Sequence, residues 1–304
     1  MSQSVVVIGN FDGVHVGHQA VLRQAAHWAE QDAQALGCAA PLPVDVVTFW
    51  PHPLSVVAPQ RAPELICGLA ERIERLKAAG AHEVRVVPFT RAVAGWAPQA
   101  FVDTVVAPLE ATTVVVGDNF RFGRSAAGSP QTLRDMGRFR VRTVDLRRLN
   151  GAPVSSTLIR EALAEGRMGD ANAMLGRAFR MRGIVELGDQ RGRTLGFPTA
   201  NVPVAPGLLA PRDGVYAGWL TRLDEPGQPM PAAISVGTNP TFDAVARHVE
   251  AYVLDRDDLR LYGAEVAVDF VASLRGMVRF AGVDELVAQM RRDVVDTRAA
   301  LSLG

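Results

Sequence analysis

Two histidines three positions apart, His15 and His18, stand in a glycine-containing stretch near the N-terminus. Imidazole groups at this spacing can be directed at a single phosphate group, because each ring offers nitrogen donors. Gly13 and Gly17 let an anion approach the backbone where a Cβ would obstruct it. The stretch therefore predicts a phosphate-binding turn.

The elements on either side of this turn support that prediction. Residues 5–8 are a β-branched apolar run and predict a buried strand, whereas residues 19–30 predict a helix. The first N–H groups of a helix lack internal partners and carry partial positive charge, which suits an anion. Two alternatives stay open. The histidines could ligate a metal ion, although no third histidine or cysteine stands nearby in a ligand pattern, or they could be incidental to the turn.

A second candidate stretch, residues 117–123, follows the predicted strand at residues 112–116. It combines two phenylalanines with an amide and an arginine, a composition that suits a flat ring carrying a phosphate. Open parallel sheets bind ligands at the carboxyl ends of their strands, so we expect this loop to share a crevice with the histidines. A plain turn is the alternative interpretation.

A third stretch contains three consecutive hydroxyl residues at 155–157, ahead of a helix predicted for residues 158–166. An N-cap explains one of these hydroxyls. A cation at Arg160, in the first predicted turn, opposes the helix dipole by a few tenths to about 1 kcal/mol. Its presence is easier to understand if an anion binds there.

The last candidate is Glu250, a carboxylate in the interior of the mainly apolar strand predicted for residues 248–255. Alternation along a strand places Glu250 and Tyr252 on one face, and Val249 and Ala251 on the other. An outward-facing glutamate on an edge strand is the alternative.

Upstream, residues 191–201 lack the spacing of a P-loop.

The wider pattern predicts how these candidates are positioned. From residue 4 to about residue 175 strand runs alternate with helical stretches, which is typical of a parallel sheet covered by helices. Further strands are predicted at residues 44–49 and 83–88, and further helices at residues 64–79 and 98–106. Beyond residue 176 short strands broken by glycine and proline indicate a small antiparallel barrel, closed by a helix at residues 284–301.

Composition narrows the possible classes of protein. A chain of 304 residues suggests two domains, and a net charge of +0 gives no support to a nucleic-acid or anionic-membrane partner. The sequence has no apolar run long enough for a bilayer span and does not start like a signal peptide. Cys38 and Cys67 are too few for a disulfide scaffold, so we expect a cytoplasmic protein.

The string Gly-Asn-Phe-Asp-Gly-Val-His-x-Gly-His, residues 9–18, resembles the nucleotidylyltransferase superfamily, in which such histidines stabilise the transferred phosphate. Within it the string is similar to the bacterial FAD synthetases, which are bifunctional riboflavin kinases and FMN adenylyltransferases. Four further motifs of that family follow in order: Thr-Phe-x-Pro-His-Pro at 48–53, Gly-x-Asn-Phe-x-Phe-Gly at 117–123, Ser-Ser-Thr-x-x-Arg at 155–160 and Pro-Thr-Ala-Asn at 198–201. The resemblance covers nearly the whole chain.

This resemblance implies an α/β fold with two domains. Residues 1–175 would form a Rossmann-like nucleotidylyltransferase domain, and residues 176–304 a small antiparallel β-barrel riboflavin kinase domain with a terminal helix. The resemblance implies catalytic roles for His15, His18, Arg160 and Glu250, with Glu250 as general base. It implies ATP contacts from Gly9, Phe11, Asp12, Gly13, Ser155, Ser156, Thr157, Gly196 and Pro198, flavin contacts from Asn119, Phe120 and Phe122, and Mg²⁺ ligation by Thr199 and Asn201.

The chemistry of the two reactions explains why the halves differ. A kinase must activate the neutral ribityl hydroxyl of riboflavin, so a carboxylate base is useful. The phosphate of FMN is already an anion, so adenylyl transfer needs positioning and charge stabilisation instead. We expect riboflavin, FMN and ATP as small-molecule partners, FMN and FAD as products and Mg²⁺ as cofactor, with no nucleic acid or membrane and a homo-oligomer left open. The competing hypotheses are a nucleotidylyltransferase for another phosphorylated acceptor and a non-catalytic flavin or nucleotide sensor.

Overall fold

A computed structural model describes residues 3–145, 151, 153–188, 195–225, 227–238 and 247–303. It forms two compact units, Met1–Ser156 and Thr157–Gly304. The domain boundary expected between residues 175 and 176 differs from this division by two helices, and it stays a prediction. Among the described residues, no helix is long and apolar enough to cross a membrane.

The first unit is built on a five-stranded parallel sheet. Its strands are β1 (Ser4–Ile8), β2 (Val44–Trp50), β3 (Glu83–Pro88), β4 (Ala111–Gly117) and β5 (Arg140–Val144), in the spatial order β3-β2-β1-β4-β5. All four strand pairs are parallel. Since the order reverses between β1 and β4, their carboxyl ends are neighbours at the point where such sheets bind ligands. The loops that follow these two strands contain the predicted phosphate and flavin residues.

Helices cover both faces of this sheet. They are α1 (Val16–Leu36), α2 (Pro53–Val57), α3 (Leu69–Ala78), α4 (Arg91–Ala94), α5 (Pro98–Phe101) and α6 (Pro130–Asp135), with a π-helical turn at Val102–Val106 and 3₁₀ turns at Pro59–Arg61, Ala107–Leu109 and Arg124–Ala126. Strand β1 is buried at every position. Val5 and Val7 pack in a core cluster with α1, whereas Val6 and Ile8 pack in a second cluster with Phe101. Burial on both faces explains the continuous apolar run of this strand.

Several predicted boundaries in this unit are wrong. Helix α1 begins at Val16 and not at residue 19, and α3 begins at Leu69 and not at residue 64. The helix expected at residues 98–106 divides into α5 and the π-helical turn. Strand β5 was not predicted. Its polar sequence hides it, because four of its five residues are not fully buried.

The second unit contains a curled antiparallel sheet. Helices α7 (Ser156–Glu165) and α8 (Met168–Leu175) precede β6 (Phe179–Ile184), β7 (Thr199–Pro203), β8 (Gly214–Arg222), β9 (Met230–Thr238), β10 (Arg247–Val253) and β11 (Glu265–Gly276), and α9 (Val283–Ala300) follows them. The spatial order is β6-β11-β8-β9-β10-β7. An isolated bridge joins Glu186, just after β6, to Asn201 in β7, and the Glu186 N–H donates to the Asn201 carbonyl at 2.9 Å. The two ends of the sheet therefore meet.

Side chains attach the helices of this unit to its sheet. The Asn172 amide of α8 donates to the Phe270 carbonyl at 2.9 Å, and its oxygen accepts from the Phe179 N–H at 2.8 Å. Arg275 of β11 makes two hydrogen bonds to Asp293 of α9, at 2.8 and 2.7 Å. The predicted fold class is confirmed for both halves, a helix-covered parallel sheet and a curled antiparallel sheet with a terminal helix.

Candidate active sites

The turn after β1 has an unusual backbone. Phe11, Gly13 and Val14 have φ values of 52°, 80° and 41°, in the left-handed region. For Phe11 and Val14 this conformation costs about 1–3 kcal/mol each, so surrounding contacts must hold it. A Cβ at Gly13 would lie 2.9 Å from Cγ2 of Ile66, so the approach of the neighbouring loop also requires glycine there. Strained turns of this kind are concentrated at functional sites.

Asp12 fixes this turn through its carboxylate. The side chain is buried, and its two oxygens accept from the Ile66 N–H at 3.1 and 3.2 Å and from the Cys67 N–H at 3.4 Å. The Asp12 carbonyl accepts from the Ser156 hydroxyl at 2.9 Å. In this structure Asp12 and Ser156 stabilise the turn, and their contacts with ATP stay predictions.

His15 and His18 form a stacked pair at the start of α1. Their ring centroids are 3.6 Å apart with an interplanar angle of 16°, and Phe11 meets the His18 ring edge-on at 5.1 Å. His15 caps the helix, because its Nδ1 accepts from the His18 N–H at 3.3 Å. A neutral imidazole that accepts through Nδ1 carries its proton on Nε2. His15 is therefore a donor through Nε2.

His18 also has its donor at Nε2. Burial lowers its pKa well below the usual value of 6.5, and repulsion from His15, when that ring is protonated, and from Arg72 lowers the pKa further. Its Nδ1 is buried without a hydrogen-bond partner among the described residues. An unpaired lone pair at this atom is less costly than an unpaired buried N–H, so the proton belongs on Nε2. The pair thus offers two neutral Nε2–H donors beside a helix N-terminus.

The loop after β4 divides its aromatic residues between core and surface. Phe122 is 6% exposed, packs 5.4 Å from the Phe101 ring and pairs with Gly128 in a short bridge. A Cβ at Gly128 would lie 2.6 Å from the Phe122 ring, so this packing requires glycine. Phe120 is half-buried and stacks on Phe122 at 5.5 Å, and Asn119 is exposed. Asn119 and Phe120 are the more accessible of the three, and all three flavin contacts stay predictions.

Arg160 lies further along its helix than the sequence predicted. Helix α7 begins at Ser156, so Arg160 is its fifth residue and not in its first turn. The argument from an unfavourable helix dipole at Arg160 is therefore wrong, since that effect is confined to the first turn. The roles of Arg160, Ser155 and Thr157 rest on the motif alone and stay predictions.

In the second unit, strand register brings the predicted kinase residues to one face. Glu250 lies directly opposite Asn201 of β7 and opposite Ser235 of β9, and Tyr252 lies opposite Thr199. Directly paired residues project to the same face with Cβ atoms about 4.5–5.5 Å apart. Thr199, Asn201 and Glu250 are therefore neighbours on this face. We call it the Glu250 face.

The predicted alternation along β10 is confirmed. Val249, Ala251 and Val253 are buried, whereas Glu250 and Tyr252 are half-buried. The alternative of a glutamate on an edge strand is wrong, because β10 lies between β7 and β9. A half-buried carboxylate on an interior strand needs another explanation than solvation.

The segment that closes the sheet presses on Asn201. A Cβ at Gly188 would lie 2.4 Å from Asn201 Nδ2, so any other residue there must displace the Asn201 side chain. Phe197 packs edge-on against Tyr252, with 5.1 Å between centroids. Gly196 is exposed with φ 85°, and Pro198 immediately precedes Thr199. Residues 189–194, which include the start of the run at 191–201, lie outside the described residues.

Oxygen donors on the Glu250 face suit a hard divalent cation. Thr199 offers a hydroxyl and Asn201 an amide oxygen, and Mg²⁺ commonly takes only one or two protein ligands besides phosphates and water. In the described part of the chain no three His, Cys, Asp or Glu side chains are grouped to hold a metal ion.

Comparison with known proteins assigns a family model to each half of the chain. A family model for FAD synthetase matches residues 1–158, and one for riboflavin kinase matches residues 175–301. A bifunctional riboflavin kinase/FMN adenylyltransferase from Listeria monocytogenes is 37% identical over 299 residues, covering 97% of this chain and 91% of the relative. The protein of the same name from Escherichia coli strain K12 is 37% identical over 303 residues, covering 98% and 93%. The chain belongs to the bifunctional riboflavin kinase/FMN adenylyltransferase family.

A solved structure is similar to this chain over nearly its full length. It is the crystal structure of a protein named as a macrolide-efflux protein from Streptococcus pneumoniae. Its TM-score is 0.86 and its sequence identity 33%, and the match covers 98% of this chain and 94% of that chain. Membership of the riboflavin kinase/FMN adenylyltransferase family confirms both expected activities, and with them ATP as substrate and FMN and FAD as products. The acceptor and sensor alternatives are not favoured.

Sequence reasoning missed two residues that shape these sites. Arg72 stands at helical spacing from Leu69 and Leu76, and a cation on that apolar stripe was a usable signal. Gly188 gave no signal, because its importance depends on a contact with Asn201, thirteen residues away.

Proposed function

We propose that the first unit transfers the adenylyl group to FMN at the turn that contains His15 and His18, and that the second unit phosphorylates riboflavin on the Glu250 face. The observation that carries the proposal is the register that aligns Thr199, Asn201 and Glu250 on one face. It gives the second unit a base and oxygen donors side by side. At the histidines of the first unit, the described residues offer ring N–H donors beside a helix N-terminus.

Adenylyl transfer requires charge stabilisation around the α-phosphate while pyrophosphate leaves. We assign this task to the Nε2–H donors of His15 and His18 and to the N-terminus of α1. Preorganised donors need no reorganisation during the reaction, and this makes them effective. The FMN phosphate attacks as an anion, so no side chain has to remove a proton.

Phosphorylation requires a proton acceptor. We assign Glu250 as the general base that takes the proton of the ribityl hydroxyl. Thr199 and Asn201 would hold Mg²⁺, which when bound neutralises charge on the transferred phosphoryl group. Their side-chain oxygens are the hard ligands that this ion prefers, and both residues lie on the face that carries Glu250. Glu250 is half-buried, so its carboxylate is partly shielded from bulk water.

The direct test is to incubate the purified chain with riboflavin, ATP and Mg²⁺ and to separate the flavins by chromatography over time. We expect FMN to accumulate first and FAD to follow. FMN without FAD would confine activity to the second unit, and unchanged riboflavin would revive the sensor hypothesis.

Gly188→Ala tests the Glu250 face. The added Cβ would lie 2.4 Å from Asn201 Nδ2. Because non-bonded heavy atoms are ordinarily separated by about 3.5 Å, the Asn201 amide must move by about 1 Å. Such a displacement can cost about 10²-fold in rate, so we expect slower riboflavin phosphorylation and a higher Mg²⁺ requirement. Steady-state assays at varied Mg²⁺ measure both effects.

Gly169→Ala is the matched control, because a Cβ at Gly169 meets no atom of the described residues within 4 Å. We expect it to leave the kinase rate and its Mg²⁺ dependence unchanged. Wild-type Mg²⁺ dependence in Gly188→Ala would contradict a ligand role for Asn201.

We also propose a cytoplasmic enzyme, since its substrate ATP and its two free cysteines fit a reducing compartment. A homo-oligomer stays a prediction.

A further inference from the structure

Arg72 on α3 is a completely buried cation, with an exposed fraction of 0%. Its Nη1 donates to the Phe49 carbonyl at 3.4 Å, and its Nη2 lies 3.6 Å from Asp12 Oδ1. The guanidinium carbon lies 5.4 Å from the centre of the Trp50 ring. Neither Nε nor Nη2 has a hydrogen-bond partner among the described residues.

Such an arrangement is costly for stability. Each buried N–H without a partner keeps its desolvation penalty, and a buried ion pair is often no more stable than apolar residues of the same volume. The ion pair between Arg75 and Glu71 on the same helix is closer and less buried. Arg75 Nε lies 2.5 Å from Glu71 Oε1, and the Arg75 side chain is partly exposed. Stability therefore does not explain the charge at Arg72.

The contacts of Arg72 lead to the phosphate turn. Its partner Asp12 stands between the left-handed residues Phe11 and Gly13 and binds the Ile66 and Cys67 N–H groups. The Gly13 N–H in turn donates to the Cys67 thiol at 3.3 Å. Arg72 is thus paired with a carboxylate that ties the turn to the segment at residues 66–67.

We propose that Arg72 is a positioning residue for adenylyl transfer, which acts through Asp12 to hold the turn from Phe11 to His18 in the conformation that receives the nucleotide phosphates. This inference rests on the proposed role of His15 and His18. Its buried position excludes Arg72 from direct contact with a substrate in this conformation.

Electrostatics agrees with this role. His18 faces the stacked His15 ring and the edge of Phe11, and Arg72 is the cation whose charge reaches it from α3. Near the same guanidinium lie the Asp12 carboxylate, the Glu71 carboxylate and the Cys67 thiol, whose pKa is raised to about 11 by burial and Asp12. The positive charge of Arg72 helps to keep His18 neutral.

The test compares Arg72→Met, Arg72→Lys and Arg75→Met for FMN adenylylation. We expect Arg72→Met to lower kcat/KM for ATP by about 10²-fold, the cost of a misplaced site. Arg72→Lys keeps the charge and should lose less than about 10-fold, and Arg75→Met, which removes an ion pair from the same helix, should stay near wild type.

A pH profile separates positioning from plain stabilisation. Without the charge of Arg72 the pKa of His18 rises, so the acid limb of kcat/KM should move to higher pH in Arg72→Met and not in Arg72→Lys. NMR titration of the His18 ring measures the same shift without any activity. Near-UV circular dichroism checks that the variants are folded.

If Arg72→Met does not fold, Asp12→Asn combined with Arg72→Met also removes the buried negative charge that the lost guanidinium no longer balances. We expect this double variant to fold and to remain defective in adenylylation. Equal activity of Arg72→Met and Arg75→Met, or an unchanged His18 titration, would overturn the inference. Undiminished adenylylation in His18→Ala would instead overturn the proposed site itself.

Discussion

His18→Ala is expected to lower the rate of FAD formation from FMN by about 10²- to 10³-fold or more, the usual cost of removing one preorganised donor. FMN formation from riboflavin should be unchanged, because the Glu250 face belongs to a different unit with its own strands. The two activities are measured separately, by supplying either riboflavin or FMN with ATP.

Two variants sharpen this result. His18→Gln restores an N–H donor near the position of Nε2 and should recover part of the lost rate. His27→Ala on the same helix is the matched control, since the His27 side chain is 65% exposed and far along α1 from the turn. An equal loss of both activities in His18→Ala would contradict separate sites.

The protonation state of His18 gives the same prediction a pH dependence. Because burial holds its pKa well below 6.5, His18 stays neutral as the pH falls through 6.5. We therefore expect kcat/KM for adenylylation to persist below that pH and to fall only in more acidic solution. NMR titration of the His18 ring separates its protonation from that of the substrate phosphates, and a midpoint at 6.5 would contradict the role of burial.

The local pattern of apolar and polar residues was enough to predict the main strands of both units. The unbroken apolar run of β1 predicted burial on both faces, and the alternation in β10 predicted which face carries Glu250. Both are properties of neighbouring residues with a period set by strand geometry. The glycine-histidine motif likewise predicted the junction of β1 and α1.

Contacts between distant residues account for the errors. Residues 64–68 have helical periodicity but are not helical, because the buried Asp12 carboxylate captures the Ile66 and Cys67 N–H groups from 54 and 55 residues away. Helix α1 begins three residues earlier than predicted, because His15 is its N-cap and histidine is not a residue that usually signals one. The Asp12 bonds are long-range, so no local pattern reveals them, whereas the His15 cap is a local bond made by an uncommon capping residue.

The same limit applies inside the sites. Phe122 fits a flavin-binding motif, yet its ring is packed against Phe101 and Gly128, which only tertiary structure brings together. Thr199 and Asn201 were predicted from a motif about fifty residues before Glu250. Their register across β7 and β10 is what places them beside it. The roles of Thr199 and Asn201 were expected from a family motif, whereas their proximity to Glu250 required the structure.

Glu250→Gln is expected to lower the rate of riboflavin phosphorylation by about 10²- to 10⁴-fold, the usual contribution of a general base. The amide keeps the shape of the side chain opposite Asn201 and Ser235 but cannot accept the ribityl proton. Glu250→Ala should have the same effect on the kinase. Adenylylation of supplied FMN should be unchanged in both variants, which is the reverse of the result for His18→Ala.

Glu265→Gln is the matched control for Glu250→Gln, because Glu265 is an exposed glutamate at the start of β11, in the same sheet but outside the paired row of Asn201, Glu250 and Ser235. Riboflavin phosphorylation is followed by chromatography as the sum of FMN and FAD, at varied riboflavin and saturating ATP, so that the effect on kcat is separated from the effect on KM. A base acts only in the transition state, so kcat should fall while KM for riboflavin changes little. If Glu250→Gln instead raised KM and left kcat intact, the carboxylate would bind substrate without accepting its proton, and the base would have to be another group on that face.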